Sequence, residues 1–265
     1  MENFLDKIVK YKGEEARLLR VRMEEGEAES IRVRFEKGGV KSDGDRFADA
    51  LRADGLSVIA ELKRRSPSAG SIGEIADPGE LAKQYEAGGA SALSVLTDEK
   101  SFGGSLHDLG AVRGVSGLPV LRKDFTVDVA QIAEAWSFGA DAVLLIVAVL
   151  QEKTGYFVRE AERMGMETVV EVVDQKELDI ALAAQSGIIL VNNRDLHTFK
   201  VDPNTALRLK ETIPPGPVSI AASGMKNTDD TKRVKEAGFD AVLIGQTLVE
   251  SADPAELIRK IRAGE

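Results

Sequence analysis

Hydrophobic patterning changes character at about residue 57. Before it, apolar residues recur at helical intervals. Phe4, Leu5, Ile8 and Val9 repeat this way, and Arg17 to Arg34 is mostly helix formers with charges of both signs. Phe47, Leu51 and Leu56 read as a second short amphipathic helix delivering the chain into a strand. From Ser57 short apolar runs alternate with helical patterns. The runs predict strands at Val58–Leu62, Ala92–Leu96, Pro119–Arg122, Ala142–Val147, Thr168–Val172, Ile188–Val191, Pro217–Ala221 and Ala241–Ile244. Between them, helices are predicted at Pro78–Ala87, Val129–Phe138, Gly155–Arg163, Gln175–Ala184 and Thr228–Ala237. Three of these end in related turns, Ala87-Gly-Gly-Ala-Ser, Phe138-Gly-Ala-Asp and Ala237-Gly-Phe-Asp, in which glycine supplies a left-handed cap before the next strand. Eight strands alternating with helices predict a closed (β/α)8 TIM barrel. A doubly wound open sheet is the runner-up, but no glycine-rich dinucleotide fingerprint follows the first strand. No Pro/Gly/Ser linker separates the two regions, so the chain reads as one domain: a helical extension over 1–56 packed on a barrel over 57–265.

Composition narrows the chemistry. Apolar residues at 43% and charged residues at 30% describe an ordinary soluble globular protein. No apolar run approaches the roughly 20 residues of a membrane span, and the N-terminus lacks the pattern of a signal peptide. The expected address is cytoplasmic. With no cysteine, disulfides and thiolate chemistry are excluded, and two histidines argue against a His-rich metal site. A net charge of −9 disfavours nucleic acid and anionic membranes as partners. An anionic ligand must therefore meet local positive groups. His107 and His197 read as loop residues without ligand-spaced partners, Trp136 and Phe138 as core or partner contact, and the acidic run from Glu24 as a solvated face.

In such barrels the reacting groups gather at the C-terminal ends of the strands. Glu61 and Lys63, two residues apart at the end of the first strand, point the same way. Lys123-Asp124-Phe125 ends the third strand, Glu171 the fifth, and Asn192-Asn193-Arg194-Asp195 the sixth. Ser223-Gly224 and Gly245-Gln246 end the last two, where barrels hold phosphate on backbone N–H groups. Two lysines, two glutamates and an amide converging on one mouth suit proton transfer; a salt bridge at a strand end would account for one pair, not for five groups from different strands. Two lysines close together are expected to lower each other's pKa.

The stretches Glu61-Leu-Lys-Arg-Arg-Ser-Pro-Ser68, Leu96-Thr-Asp98, Leu121-Arg-Lys-Asp-Phe125, Val170-Glu-Val172 and Asn192-Asn-Arg-Asp-Leu196 together resemble the indole-3-glycerol phosphate synthases of tryptophan biosynthesis. The likeness covers nearly the whole chain, including an extension that in this family lies over the barrel mouth. It implies a metal- and cofactor-free decarboxylating ring closure of 1-(2-carboxyphenylamino)-1-deoxyribulose 5-phosphate, a phosphorylated small molecule. By this resemblance Lys123 is the general acid for ring closure. Lys63 holds the departing carboxylate and serves as an acid in dehydration, Glu171 and Glu61 are the candidate bases, and Asn192 orients the substrate. Ser66, Phe125, Arg194, Ser223, Gly224, Gly245 and Gln246 complete the expected substrate and phosphate contacts, and a monomer or weak homodimer is expected. Four positions depart from the family pattern: Ala222 replaces a glutamate, Leu190 a glycine, Val173 a histidine and Gln246 a small or acidic residue. The first two volume changes oppose each other, and they leave open an alternative: a paralogue or engineered variant that keeps the phosphate site and has lost or changed its native turnover. Another phosphate-binding barrel of amino-acid biosynthesis, such as an isomerase, would explain the last two turns but not Glu61, Lys63, Lys123 and Glu171 together.

Overall fold

A computed structural model describes residues 3–24, 46–53 and 55–265. Eight parallel strands close into a barrel: β1 (Ser57–Leu62), β2 (Ala92–Leu96), β3 (Val120–Lys123), β4 (Ala142–Ile146), β5 (Glu167–Val172), β6 (Ile188–Asn192), β7 (Val218–Ala222) and β8 (Ala241–Ile244). Each pairs with its sequence neighbours, and β1 pairs with both β2 and β8 to shut the ring. Small shifts from the expected bounds have simple causes. Pro119 and Pro217 have no N–H to give a ladder, so β3 and β7 begin one residue later. The run at Ala142 turns into a single helical turn at Val147–Leu150.

Alternation along each strand sorts the side chains. Val58, Ala60, Val143, Leu145, Ile189 and Val191 pack outward against the helices. Ile59, Leu121, Leu144, Val169, Leu190 and Ile220 fill the barrel interior. Side chains on both faces are buried, which is why these strands read as continuous apolar runs. Six of the surrounding helices start on side-chain caps: Asp77, Ser105, Asp128, Asp174, Asn227 and Asp253 each accept a backbone N–H of the first turn. Gly89, Gly139 and Gly238 adopt φ of +88°, +86° and +84° in the three predicted turns.

The extension reaches both ends of the barrel. Helix α1 (Phe4–Arg22) lies at the mouth, where Leu5 and Ile8 join Phe125 and Leu196 in one apolar cluster. Helix α2 (Arg46–Leu51) sits at the opposite end. Its Ala48 N–H donates to Glu167, the first residue of β5, at 2.8 Å, and Arg46 pairs with Asp141, just before β4, at 2.5 Å. Phe47 and Leu51 are fully buried there against the interior layer. Helix α2 of the extension thus seals the bottom of the barrel rather than covering its mouth. The expected continuation of the first helix to Arg34, and most of the acidic run after Glu24, lie outside the described residues. His107 is exposed in the first turn of a helix (Leu106–Val115) rather than in a loop, and His197 is in a loop as expected.

Candidate active site

The interior alternation that buries Ile59 and Leu121 carries Glu61 and Lys123 into the barrel one layer higher, with Lys63 above Glu61. All twelve residues singled out from the sequence line one cavity of about 560 Å³ at the C-terminal ends of the strands. That volume is in the range of roughly 300–1,000 Å³ usual for small-molecule sites. Leu96, Leu144, Ile146, Ala222 and Leu243 give it an apolar floor, and Phe102, Phe125 and Phe199 are aromatic wall.

Its polar groups form two linked sets. Lys63 Nζ donates to Glu61 Oε1 at 2.7 Å, and Ser94 Oγ donates to the other Glu61 oxygen at 3.4 Å. Across the cavity, Lys123 Nζ donates to Glu171 Oε2 at 3.2 Å, while Asn192 Nδ2 donates to Glu171 Oε1 at 2.9 Å. Both glutamates are buried, so each carboxylate is held by fixed donors rather than by water. Asn192 Oδ1 in turn accepts the Arg194 N–H at 3.0 Å, and the Arg194 guanidinium reaches Ser68 Oγ at 2.9 Å. That contact ties the loop after β1, with Ser66 and Ser68, to the loop after β6.

The charge on Lys123 is set by the carboxylates, which corrects the expectation that neighbouring lysines would lower it. Burial opposes the ammonium, but Glu171 and Glu61 outweigh burial and hold Lys123 above the ordinary lysine range. An acid must carry its proton before it can give it, and Lys123 does so throughout neutral pH.

On the far side, Ser223 and Gly224 take left-handed φ of +65° and +80°, turning the chain sharply after β7. Gly245 has ordinary φ, and space requires it: a Cβ there would lie 2.5 Å from Glu61 Oε1 and 3.1 Å from Lys63 Nζ. The Gln246 side chain opens the next helical turn and donates to Glu250 Oε1 at 2.9 Å.

The departures from the family pattern fall in different places. Ala222 lines the cavity beside Asn192, its partner in register. Leu190 is one layer deeper, between Glu171 and Ile220 in register, so Asn192 rather than Leu190 is the direct neighbour of position 222. Val173 lies beyond β5 and donates its N–H to Glu177 at 2.9 Å.

Sequence reasoning missed Ser94 and Lys12, and named Asp98 and Asp124 without the supporting role they have here. Ser94 looks like any strand serine. Asp98 and Asp124 are both buried beneath the mouth and joined by Lys12 of α1, with Nζ at 3.1 Å and 2.8 Å. The signal for Lys12 was rhythm: the buried face of α1 runs Leu5, Ile8, Lys12, Ala16, Leu19, with lysine in an apolar position. Among the described residues, no group of three or more His, Cys, Asp or Glu is arranged to hold a metal ion.

Comparison with known proteins places this geometry. Residues 5–261 match the family model for indole-3-glycerol phosphate synthase. Curated relatives include indole-3-glycerol phosphate synthase 2 of Streptomyces coelicolor, 46% identical over 80% of this chain and 83% of the relative. The indole-3-glycerol phosphate synthase of Mycobacterium avium is 50% identical over 77% of this chain and 76% of its own. Among solved structures, 3-hexulose-6-phosphate synthase of Salmonella typhimurium superposes with a TM-score of 0.64 at 15% identity, over 79% of this chain and 98% of that one. At that identity the likeness is one of fold alone. A barrel with paired lysines and glutamates across one mouth, matched from residue 5 to residue 261, identifies the chain as a member of the indole-3-glycerol phosphate synthase family.

Proposed function

We propose that this protein is a carboxy-lyase that converts 1-(2-carboxyphenylamino)-1-deoxyribulose 5-phosphate to indole-3-glycerol phosphate, carbon dioxide and water. The observation that carries the reading is the placement of Lys123 and Lys63 on opposite carboxylates, Glu171 and Glu61, across one cavity. Closing the indole ring turns the ketone oxygen into a hydroxyl. Lys123 donates that proton as the aromatic carbon bonds to the carbonyl carbon. Its charge, held by Glu171, also stabilises the oxygen as it becomes negative. Lys63 neutralises the substrate carboxylate until the C–C bond to it breaks and aromaticity returns. Loss of the new hydroxyl then needs an acid and a base, and Lys63 with Glu61 or Glu171 supply them. Asn192 orients Glu171 and the substrate together. The backbone around Ser223-Gly224 and Gly245 takes the phosphate, with Gln246 and Arg194 at its edge. Ser66 and Phe125 close the sides of the cavity.

The same reading carries a cytoplasmic location and a monomer or weak homodimer. Among the described residues no helix is long and apolar enough to cross a membrane, which supports the first. The test is direct: incubate the purified protein with the carboxyphenylamino ribulose phosphate and follow the rise of indole fluorescence. Saturable turnover, inhibited competitively by inorganic phosphate, is expected. A protein that binds the substrate and releases no indole product overturns the proposal.

A further inference from the structure

Lys12 is 3% exposed on a helix that is otherwise charged outward, and its ammonium lies among carboxylates at the C-terminal end of β3. Its Nζ is 2.8 Å from Asp124 Oδ1, 3.1 Å from Asp98 Oδ2 and 3.1 Å from Glu15 Oε2. Asp124 directly follows Lys123. Its second oxygen takes Thr97 Oγ1 at 2.6 Å and Arg122 Nη2 at 3.2 Å, and its first also accepts the Phe125 N–H at 2.8 Å. Asp98 accepts the Tyr11 hydroxyl at 2.5 Å and the Ser101 N–H at 2.7 Å. Arg122 is anchored further back, on the Gln131 carbonyl at 2.8 Å and Glu134 at 3.0 Å. The short segment from Lys123 to Phe125 is therefore gripped from behind by a buried ionic cluster, to which α1 contributes Lys12 together with Tyr11 and Glu15.

We propose that Lys12 is a positioning residue for Lys123: by pinning Asp124 from α1, it fixes the end of β3 and balances the charge behind the reacting ammonium. The proposal rests on the reading of Lys123 as the general acid. Stability alone is a poor explanation for such a cluster, because buried ion pairs often contribute no more than apolar packing of the same volume. Its placement directly behind Lys123 supplies the missing reason.

The charges that face Lys123 are Glu171 from β5, Glu61 from β1 with Lys63 just beyond it, and Asp124 just beyond its own strand. Those around Lys12 are Tyr11 and Glu15 from α1, Lys100 paired to Glu15 at 3.1 Å, Asp98, Asp124, and Arg122 with Glu134 behind them. Burial favours a neutral Asp124, but Arg122 and Lys12 overcome it and keep the carboxylate ionised. Removing the charge of Lys12 leaves Asp124 and Asp98 less compensated, so the Lys123 ammonium becomes harder to deprotonate. Removing the charge of Asp124 acts in the opposite sense.

The experiment compares Lys12→Met, Lys12→Arg and Asp124→Asn with the parent protein. Lys123 is titrated by NMR at its ¹³Cε signal, assigned by its loss in Lys123→Arg, and kcat and KM are measured across pH. Lys12→Met should move the Lys123 titration upward and lower kcat about tenfold, with KM changed by less than about twofold. Asp124→Asn should move the titration downward. Lys12→Arg, which keeps the charge, should restore values near the parent. If Lys12→Met leaves the Lys123 titration in place, or moves it downward, the pin serves the fold alone and the proposal falls. Should Lys12→Met fail to fold, Lys12→Gln read by the same titration decides. The titration needs no substrate, so it tests the pin even if the turnover assay fails.

Discussion

Lys123 holds no core together: its side chain keeps 17% of its surface open and its partner is the Glu171 carboxylate. Replacing it by methionine keeps the length of the side chain and removes the proton. Lys123→Met should therefore lower kcat by about 10²–10⁴-fold, the usual cost of a lost positioned acid, in a protein that still folds but melts earlier because the buried Glu171 has lost its ammonium. Near-normal kcat in that variant would take Lys123 out of the mechanism. Glu171 deserves separate attention because one carboxylate serves two donors, Lys123 on one oxygen and Asn192 on the other. A change at either donor reaches the other through it, so effects at positions 123 and 192 should not add.

Among the elements, the end of β8 does more than line the proposed phosphate site. Gly245 leaves room for the Glu61 carboxylate, which a Cβ would approach to 2.5 Å. Gly245→Ala should thus displace Glu61 and lower kcat at least about tenfold as well as raising KM, because a candidate base moves. Steady-state kinetics separate the two: a change confined to KM would mean that Glu61 can shift without consequence. The barrel strands were legible because burial on both faces makes a run of Val, Ile and Leu that no surface helix imitates. The helix Leu106–Val115 was not, since Gly110 and Gly114 dilute its pattern. Strand ends gave Glu61, Lys63, Lys123, Glu171 and Asn192 directly, because alternation fixes which residues face inward. The supports behind them were hidden for the converse reason. Only its place in the apolar rhythm of α1 sets Lys12 apart from Lys7 and Lys10, and the reason for its burial comes from Asp98 and Asp124, which the chain reaches much later.

The stability of the whole molecule should carry a signature of one half-buried acid outside the cavity. Glu177 is pushed up to about 7, first by burial, against a hydrogen bond from the Val173 N–H and with help from Asp174, Glu171 and Asp195. The folded protein thus keeps a proton that the unfolded chain releases. This contribution is complete below the ordinary glutamate range and is lost as pH rises towards 7. Glu177→Gln keeps an acceptor for Val173 and cannot ionise, so its Tm gain over the parent should be larger at pH 8 than at pH 5. Equal gains at both would show that Glu177 titrates normally in the fold. The seal that α2 makes beneath the barrel has a different outcome. With Phe47 and Leu51 packed against the interior layer at one end, the doorway of the cavity is at the other, and carbon dioxide, water and the indole product leave by the mouth through which the substrate enters. Traffic through that doorway is one-way at any instant: a bulky product still seated in it delays the next arrival.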